Sequence, residues 1–141
     1  MADHGRQVGV GNEGLLREQF AAAEHREDWP RAMELWDDQV VLIVAGDDVP
    51  NPGVFTGKEN VGRWFAEWLS MFDHIVFDIQ TMAHGRDGLA VHARHSARGR
   101  ESGAEAAVEL YYAYWFREGK VIRVEIYGDR EPAWRAAGVD E

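Results

Sequence analysis

A histidine and two tyrosines lie on the apolar sides of two predicted strands that follow one another along the chain. In LAVHARHSA, residues 89–97, apolar and polar positions alternate, and His95 falls among the apolar positions. In AVELYYAYWF, residues 107–116, the same alternation puts Tyr112 and Tyr114 together on one face. A buried neutral imidazole can act as a general base. Phenol hydroxyls can donate hydrogen bonds to an oxygen that gains negative charge. We therefore interpret these three residues as a candidate catalytic set for acid–base chemistry.

A structural role would explain the same three residues. A single histidine on an apolar face is about as often a core residue hydrogen-bonded to a tyrosine, and buried tyrosines commonly pack with satisfied hydroxyls. His84 and His92 do not form a metal site by pattern, since no carboxylate or third histidine converges on them. The chain has no cysteine, which excludes thiol catalysis and a cysteine zinc site. We expect neither a metal nor another cofactor.

The first part of the chain supplies the helices that would cover this face. Apolar residues three and four apart begin near Glu13, and RAMELW, residues 31–36, indicates a second, short helix. QVVLIVA, residues 39–45, is typical of a buried strand, and the segment 46–57, with its prolines and glycines, is predicted to be a loop. The clearest helix follows, with a broad apolar face made of Val61, Trp64, Phe65, Trp68, Leu69 and Phe72.

The second half of the chain changes to a period of two, which indicates strands. Short glycine-bearing loops separate four such segments and favour antiparallel hairpins; the segments are 74–84, 88–98, 105–117 and 120–127. DREPAWRAAG then predicts a short helix that ends at Gly138. Helices followed by antiparallel strands predict an α+β fold, with the helices on one face of a curved sheet.

Composition limits the classes of function. The chain has 141 residues and a formal net charge of −10, which argues against binding nucleic acid or an anionic membrane. No apolar run approaches the roughly 20 residues of a membrane span, and we expect a cytoplasmic protein. We divide the chain into a flexible leader over residues 1–12, a single domain over 13–138 and a tail over 139–141.

Three segments, taken in their order, carry a family resemblance: DWPRAMELWDDQVVLIVA, FTGKENVGRWF and YWFREGKVIRVEIYGDREPAWRAAG. They resemble the nuclear-transport-factor-2-like superfamily, in particular its SnoaL-like, ketosteroid-isomerase-like branch. The resemblance implies a cone, in which three helices wrap the concave face of a strongly curved, antiparallel-rich sheet. It also implies an apolar pocket for a small hydrophobic molecule, with walls formed by Phe20, Trp36, Val44, Trp64, Trp68, Phe116 and Ile126.

The resemblance allows the family's chemistries to be compared position by position. Where ketosteroid isomerase has its Asp base and Tyr donor, this chain has Val44 and Phe20, and the position of the protonated Asp carries Tyr112. Ile126 stands where limonene-epoxide hydrolase has an Asp of its water-activating set. Neither mechanism is retained. The resemblance therefore favours a SnoaL-type isomerase or cyclase for a hydrophobic, polyketide- or steroid-like carbonyl compound, with His95 as base and the two tyrosines as oxyanion donors. The alternatives are a non-catalytic small-molecule-binding protein and a dimeric interaction protein.

The resemblance also implies a homodimer through the convex face of the sheet. Tyr111, Trp115 and Tyr127 fall on that face by alternation, and an uncovered aromatic patch of this kind is unusual on a monomer. The same face carries charges that we interpret as a structural lattice of ion pairs between strands: Glu109, Arg123, Glu125, Arg94 and Arg98.

Overall fold

The computed structural model describes residues 2–45 and 52–140, and for residues 2–10 and 26 it describes the backbone alone. Its helices are α1 Ala2–Ala23, α2 Trp29–Met33, α3 Lys58–Leu69 and α4 Arg130–Ala137, with a 3-10 turn at Arg26–Asp28 before α2. Its strands are β1 Trp36–Val44, β2 Gly53–Thr56, β3 Phe72–His84, β4 Leu89–Gly99, β5 Glu105–Arg117 and β6 Lys120–Tyr127.

The described strands form one six-stranded sheet in the order β2-β1-β6-β5-β4-β3. Strands β3 to β6 form an antiparallel meander, β2 is antiparallel to β1, and β1 runs parallel to β6. The register shifts between Ile79 and Thr81 in β3 and between Trp115 and Phe116 in β5. Such irregularities increase the twist and bend of a sheet. The predicted α+β fold with a curved, antiparallel-rich sheet is confirmed.

The main core lies between one face of the sheet, here called the inner face, and helices α1, α2 and α3. Its side chains come from both layers and are buried; they include Leu16, Phe20, Trp36, Val40, Leu42, Val61, Trp64, Val91, Leu110, Tyr112 and Val124. The apolar stripe of α3 and the alternating apolar positions of the strands therefore meet as the sequence predicts.

Helix α4 packs on the opposite, outer face of the sheet. Trp134 is 3% exposed and joins a second apolar cluster with Ala90 and Ala113. The aromatic residues predicted to lie in a dimer interface pack against this cluster and are partly buried by it: Tyr111, Trp115 and Tyr127. The chain's own helix thus covers part of the patch, and the homodimer stays a prediction.

The turn between β3 and β4 holds the end of α4 in place. The backbone N–H groups of Asp87 and Gly88 both donate to the carbonyl of Ala137, at 3.0 Å each. Gly138 ends the helix in the left-handed conformation, with φ 78°, as the sequence predicts. The packing is close, because a Cβ on Gly85 would lie 2.1 Å from the carbonyl oxygen of Ala137.

Two predicted helix ends are wrong, because the last residues of each predicted helix belong to a β-strand. The helix predicted through Trp36 ends at Met33, and Trp36 opens β1. The carbonyl of Leu35 accepts a hydrogen bond from the Val121 N–H at 2.8 Å, and Trp36 pairs with Val121 of β6. Phe72, predicted to extend the apolar face of the long helix, opens β3 instead. Pairing with distant strands overrides the local helical spacing in both places.

Residues 53–56, predicted to belong to a loop, form β2 and pair with β1. Residues 46–51 of that predicted loop lie outside the described residues. At the start of the chain, the backbone of residues 2–12 is helical and continuous with the helix expected from Glu13, where the sequence predicts a flexible leader. The bounds of the leader, the domain and the tail stay predictions.

Candidate functional site

Side chains from β3, β5 and α3 surround His95. It lies on the inner face of β4 and is 2% exposed, and the pairing of β4 with β5 shows no register shift that would turn it outward. Its ring meets the ring of Phe77 from β3 edge-on, at 4.7 Å between centres, and lies 5.4 Å from the ring of Trp68 from α3. Phe77 is itself held by the turn that follows α1, because its backbone N–H donates to the carboxylate of Glu24 at 2.8 Å. The inward direction predicted for His95 is confirmed.

A hydrogen bond of 2.8 Å joins His95 Nε2 to the hydroxyl of Tyr112 on β5. The two residues are not cross-strand partners, since His95 pairs with Val108. The Ala93–Leu110 pair lies between them on the inner face, so the histidine and the tyrosine must lean along their strands toward each other. Alternation predicts the shared face, whereas the contact depends on this lean.

Tyr114 belongs to the same aromatic cluster through packing. Its ring stacks on that of Tyr112, with centres 5.6 Å apart and planes 24° from parallel. Phe20 of α1 packs edge-on against both tyrosines, at 5.6 and 6.4 Å. Within the described part of the chain, Tyr114 makes no hydrogen bond to His95. The three predicted catalytic residues therefore lie together, but only His95 and Tyr112 are joined by a hydrogen bond.

Burial controls the charge of this group. Desolvation lowers the pKa of His95 from 6.5 to about 3. Burial raises the pKa of Tyr112 well above its ordinary value, and the neighbouring Tyr114 adds to that rise. Burial alone raises the pKa of Tyr114. All three side chains are neutral near pH 7, and a histidine with so low a pKa is a weak acceptor for a substrate proton.

A cavity of about 250 Å³ opens beside His95, between α3 and strands β3, β4 and β5. We call it the His95 cavity; its other lining residues are Trp68, Phe72, Ile75, Ala97, Ala106, Ala107, Val108 and Leu110. None of these residues carries a charge. His95 Nδ1 is buried and has no hydrogen-bond partner among the described residues. The cavity thus has apolar walls, and one of its lining residues, His95, carries an unpaired buried polar atom.

The structure separates the predicted wall residues. Trp68 lines the His95 cavity, whereas Trp64 lines a different hollow of about 580 Å³, between α3 and β2. The others lie in the core or pack against it, outside the lining of the His95 cavity: Phe20, Trp36, Val44, Phe116 and Ile126. Their role as ligand contacts stays a prediction.

Seven apolar residues of the His95 cavity were absent from the predicted walls: three alanines and four larger side chains. Val108 and Leu110 share the inner face with Tyr112, so alternation along β5 could have identified them. Ile75 has the inward parity of β3, shared with Phe77, and carries the same signal. Phe72 could not be identified as a strand residue of the cavity, because the helical pattern of the preceding segment extends through it.

The charges of the outer face form ion pairs between and along strands. His92 Nε2 lies 2.7 Å from a carboxylate oxygen of Glu109, and Arg94 lies 3.9 Å from the same carboxylate. Arg123 contacts Glu125 at 2.6 Å on β6. Arg98, also predicted to belong to the lattice, lies 3.3 Å from Glu105. Arg94 thus pairs across strands with Glu109 as expected, whereas Arg98 pairs across strands with Glu105, and Arg123 and Glu125 pair along a single strand. The structural role of these charges stays a prediction.

No group of three or more His, Cys, Asp or Glu side chains in residues 2–45 and 52–140 is placed to hold a metal ion. No helix in the same ranges is both long enough and apolar enough to span a membrane. The cytoplasmic location stays a prediction.

Comparison with known proteins identifies relatives by sequence pattern and by fold. The family model described as the SnoaL-like domain matches residues 17–124, which is more than half of the chain. No curated protein sequence matches the chain.

Solved structures share the fold at low sequence identity. A hypothetical protein from Catenulispora acidiphila with a ketosteroid isomerase-like fold, in complex with trimethylamine, is 15% identical and superposes with a TM-score of 0.68, over 89% of this chain and 93% of its own. A provisionally assigned isomerase from Bacillus subtilis is 17% identical, with a TM-score of 0.72 over 93% and 97% of the two chains. A provisionally assigned SnoaL-like polyketide cyclase from a Jannaschia species is 16% identical, with a TM-score of 0.68 over 83% and 84%.

Proposed function

The chain belongs to the SnoaL-like domain family, and from that premise we propose that it binds a small, largely apolar molecule in the His95 cavity. The observation that carries this proposal is the unpaired Nδ1 of a nearly fully buried histidine beside a cavity that is otherwise apolar. A buried polar atom without a partner is costly, and a ligand atom that pairs with it recovers that cost. The same atom would orient the ligand, as isolated polar groups do in apolar pockets.

The size of the cavity and its uncharged lining limit the kinds of ligand that it could bind. At about 250 Å³, the His95 cavity is smaller than the roughly 300–1,000 Å³ typical of sites for drug-sized molecules. No charged side chain lines it, so an ionised ligand would lose hydration without gaining a counter-charge. An uncharged molecule with one or two rings fits both conditions. The complex of the Catenulispora protein with trimethylamine supports the idea that this fold can accommodate a small molecule.

A second candidate function is isomerase or cyclase chemistry on a hydrophobic carbonyl compound. The hydrogen bond between His95 and Tyr112 favours it, because two groups able to carry a proton meet beside the cavity. In this candidate His95 is the base and Tyr112 and Tyr114 are the oxyanion donors, although neither tyrosine lines the His95 cavity. The low pKa of His95 makes the base role weak in the ligand-free protein, and binding is therefore our primary proposal.

Ligand-detected NMR with acetophenone tests the binding proposal. Acetophenone is an uncharged aromatic ketone that matches the size of the cavity, and saturable binding to the wild-type protein is the expected result. Val108→Trp places a large side chain at the cavity wall and should weaken that binding by about tenfold or more. The matched control is Val76→Trp, since Val76 is also exposed on a strand but lies outside the cavity lining.

Equal losses in the two tryptophan variants would show that acetophenone binds elsewhere and would remove the proposal. The catalytic candidate needs a separate measurement, the turnover of a ketone substrate as a function of pH. A folded His95→Gln variant with undiminished turnover would exclude His95 as the base.

A further inference from the structure

The hydrogen bonds of His95 can be counted completely within the described residues. Nε2 lies 2.8 Å from the hydroxyl of Tyr112, and Nδ1 has no partner. The hydroxyl of Tyr112 likewise has no second hydrogen-bond partner there. A neutral imidazole carries one N–H donor and one bare nitrogen acceptor, so only two arrangements of protons are possible for this pair.

In the first arrangement, Tyr112 donates its O–H to a bare Nε2, and the imidazole proton sits on Nδ1. One donor, the Nδ1–H, is then left without a protein partner. In the second, Nε2–H donates to the tyrosine oxygen, which leaves both the buried phenolic hydrogen and the bare Nδ1 unpaired. The second arrangement leaves one more buried polar group unpaired than the first and is therefore the less stable of the two. Tyr112 is 1% exposed, so bulk water does not supply the missing partner.

We infer that Tyr112 is a positioning residue that holds the proton of His95 on Nδ1, so that the His95 cavity selects molecules that present a hydrogen-bond acceptor. The inference deepens the proposed function and rests on it for the ligand, while the position of the proton is a property of the free protein. It assigns His95 the role of a donor to the ligand, and it assigns Tyr112 a role through His95 rather than through direct contact.

The chemical class of ligand follows from this proton position. Carbonyl oxygens, ether oxygens and bare ring nitrogens can accept from Nδ1–H. If the only polar group of a molecule is an N–H donor, that N–H cannot pair with the Nδ1–H of His95, and both donors stay unpaired. Acetophenone and indole separate these cases, because they have the same number of non-hydrogen atoms, and one offers only an acceptor and the other only a donor.

The first experiment is ¹⁵N NMR of the histidine rings in the ligand-free protein, with the His95 signals assigned by their loss in His95→Gln. We expect Nδ1 protonated and Nε2 bare in the wild type. Tyr112→Phe should remove that preference, whereas Tyr114→Phe, which removes a hydroxyl from a neighbouring buried tyrosine that does not bond to His95, should preserve it. A wild-type His95 with its proton on Nε2 overturns the inference directly, even where Tyr112→Phe fails to fold.

The second experiment compares the dissociation constants of acetophenone and indole. We expect wild type to favour acetophenone by about tenfold, the effect of one hydrogen bond gained against one buried donor left unpaired, and Tyr112→Phe to reduce that ratio. Tighter binding of indole by the wild type overturns the selectivity while leaving the cavity as a binding site. Absence of binding by either probe, with the proton on Nδ1, overturns the proposed function and leaves the assignment of Tyr112 supported by the NMR result.

Discussion

Replacing His95 with glutamine should remove a specific part of the acid sensitivity of folding. Burial lowers the pKa of His95 from 6.5 to about 3, so the folded protein holds the ring neutral across a range in which the unfolded chain binds a proton. Acid therefore favours the unfolded chain. The stability that depends on neutral His95 is fully present above about pH 6.5 and is lost as the pH falls toward about 3.

The magnitude follows from the two pKa values. Each pH unit between them costs about 1.4 kcal/mol for one proton taken up on unfolding. Between about pH 7.5 and about pH 4.5, His95 should therefore account for about 2.5 kcal/mol of lost unfolding free energy. Every other titratable group remains present in a His95→Gln variant, so the difference between the two proteins isolates His95.

Urea unfolding followed by tryptophan fluorescence at the two pH values measures this difference. The wild type should lose about 2.5 kcal/mol more than His95→Gln, while His25→Gln, which changes an exposed histidine, should match the wild type. A direct NMR titration of the wild type should show no protonation of His95 above about pH 4. Equal losses in wild type and His95→Gln, or a His95 that titrates near pH 6.5, would refute the reasoning.

Chemical denaturation tests three further expectations about the fold. Gly85→Ala should destabilise by about 1–3 kcal/mol, because its Cβ would lie 2.1 Å from the carbonyl oxygen of Ala137, whereas Gly14→Ala, with no atom within 4 Å of its Cβ, should stabilise α1 by about 0.5–1 kcal/mol. Trp134→Ala should cost about 3–5 kcal/mol and loosen α4, since Trp134 is 3% exposed against the outer face; an unchanged midpoint would contradict that packing. Arg94→Ala should change stability by less than about 1 kcal/mol, because its ion pair is half exposed, and a larger loss would mean that the outer-face charges do more than form a lattice.

The strands and the long helix were predictable because their patterns are local and repeated. The four segments with a period of two match β3 to β6 to within two residues at each end. The position of Gly138 at the end of α4 was also predictable, since a glycine there takes the left-handed conformation that ends a helix. The predictions were wrong where a short segment could form either a helix or a strand. The helical spacing predicts a helix through Trp36, but Trp36 lies in β1 and pairs in parallel with β6.

The outer face shows a different limit of the sequence. Alternation correctly separated the inner tyrosines from Tyr111 and Trp115, but it could not say what covers the second group. Helix α4 does so in part, and its docking depends on hydrogen bonds from the turn between β3 and β4 to the carbonyl of Ala137. These residues are far apart in the sequence, and no local pattern joins them.

For the candidate site, alternation along the strands was enough to predict which residues face inward, because side-chain direction along a strand depends only on counting residues from a regular register. It therefore placed His95, Tyr112 and Tyr114 on one face. Which tyrosine bonds to His95 depends on the packing of the elements: Tyr112 does so, and Tyr114 packs beside it without a hydrogen bond to His95. The difference depends on the stagger of β4 against β5 and on how closely α3 approaches, and these are distances between elements that no sequence period encodes.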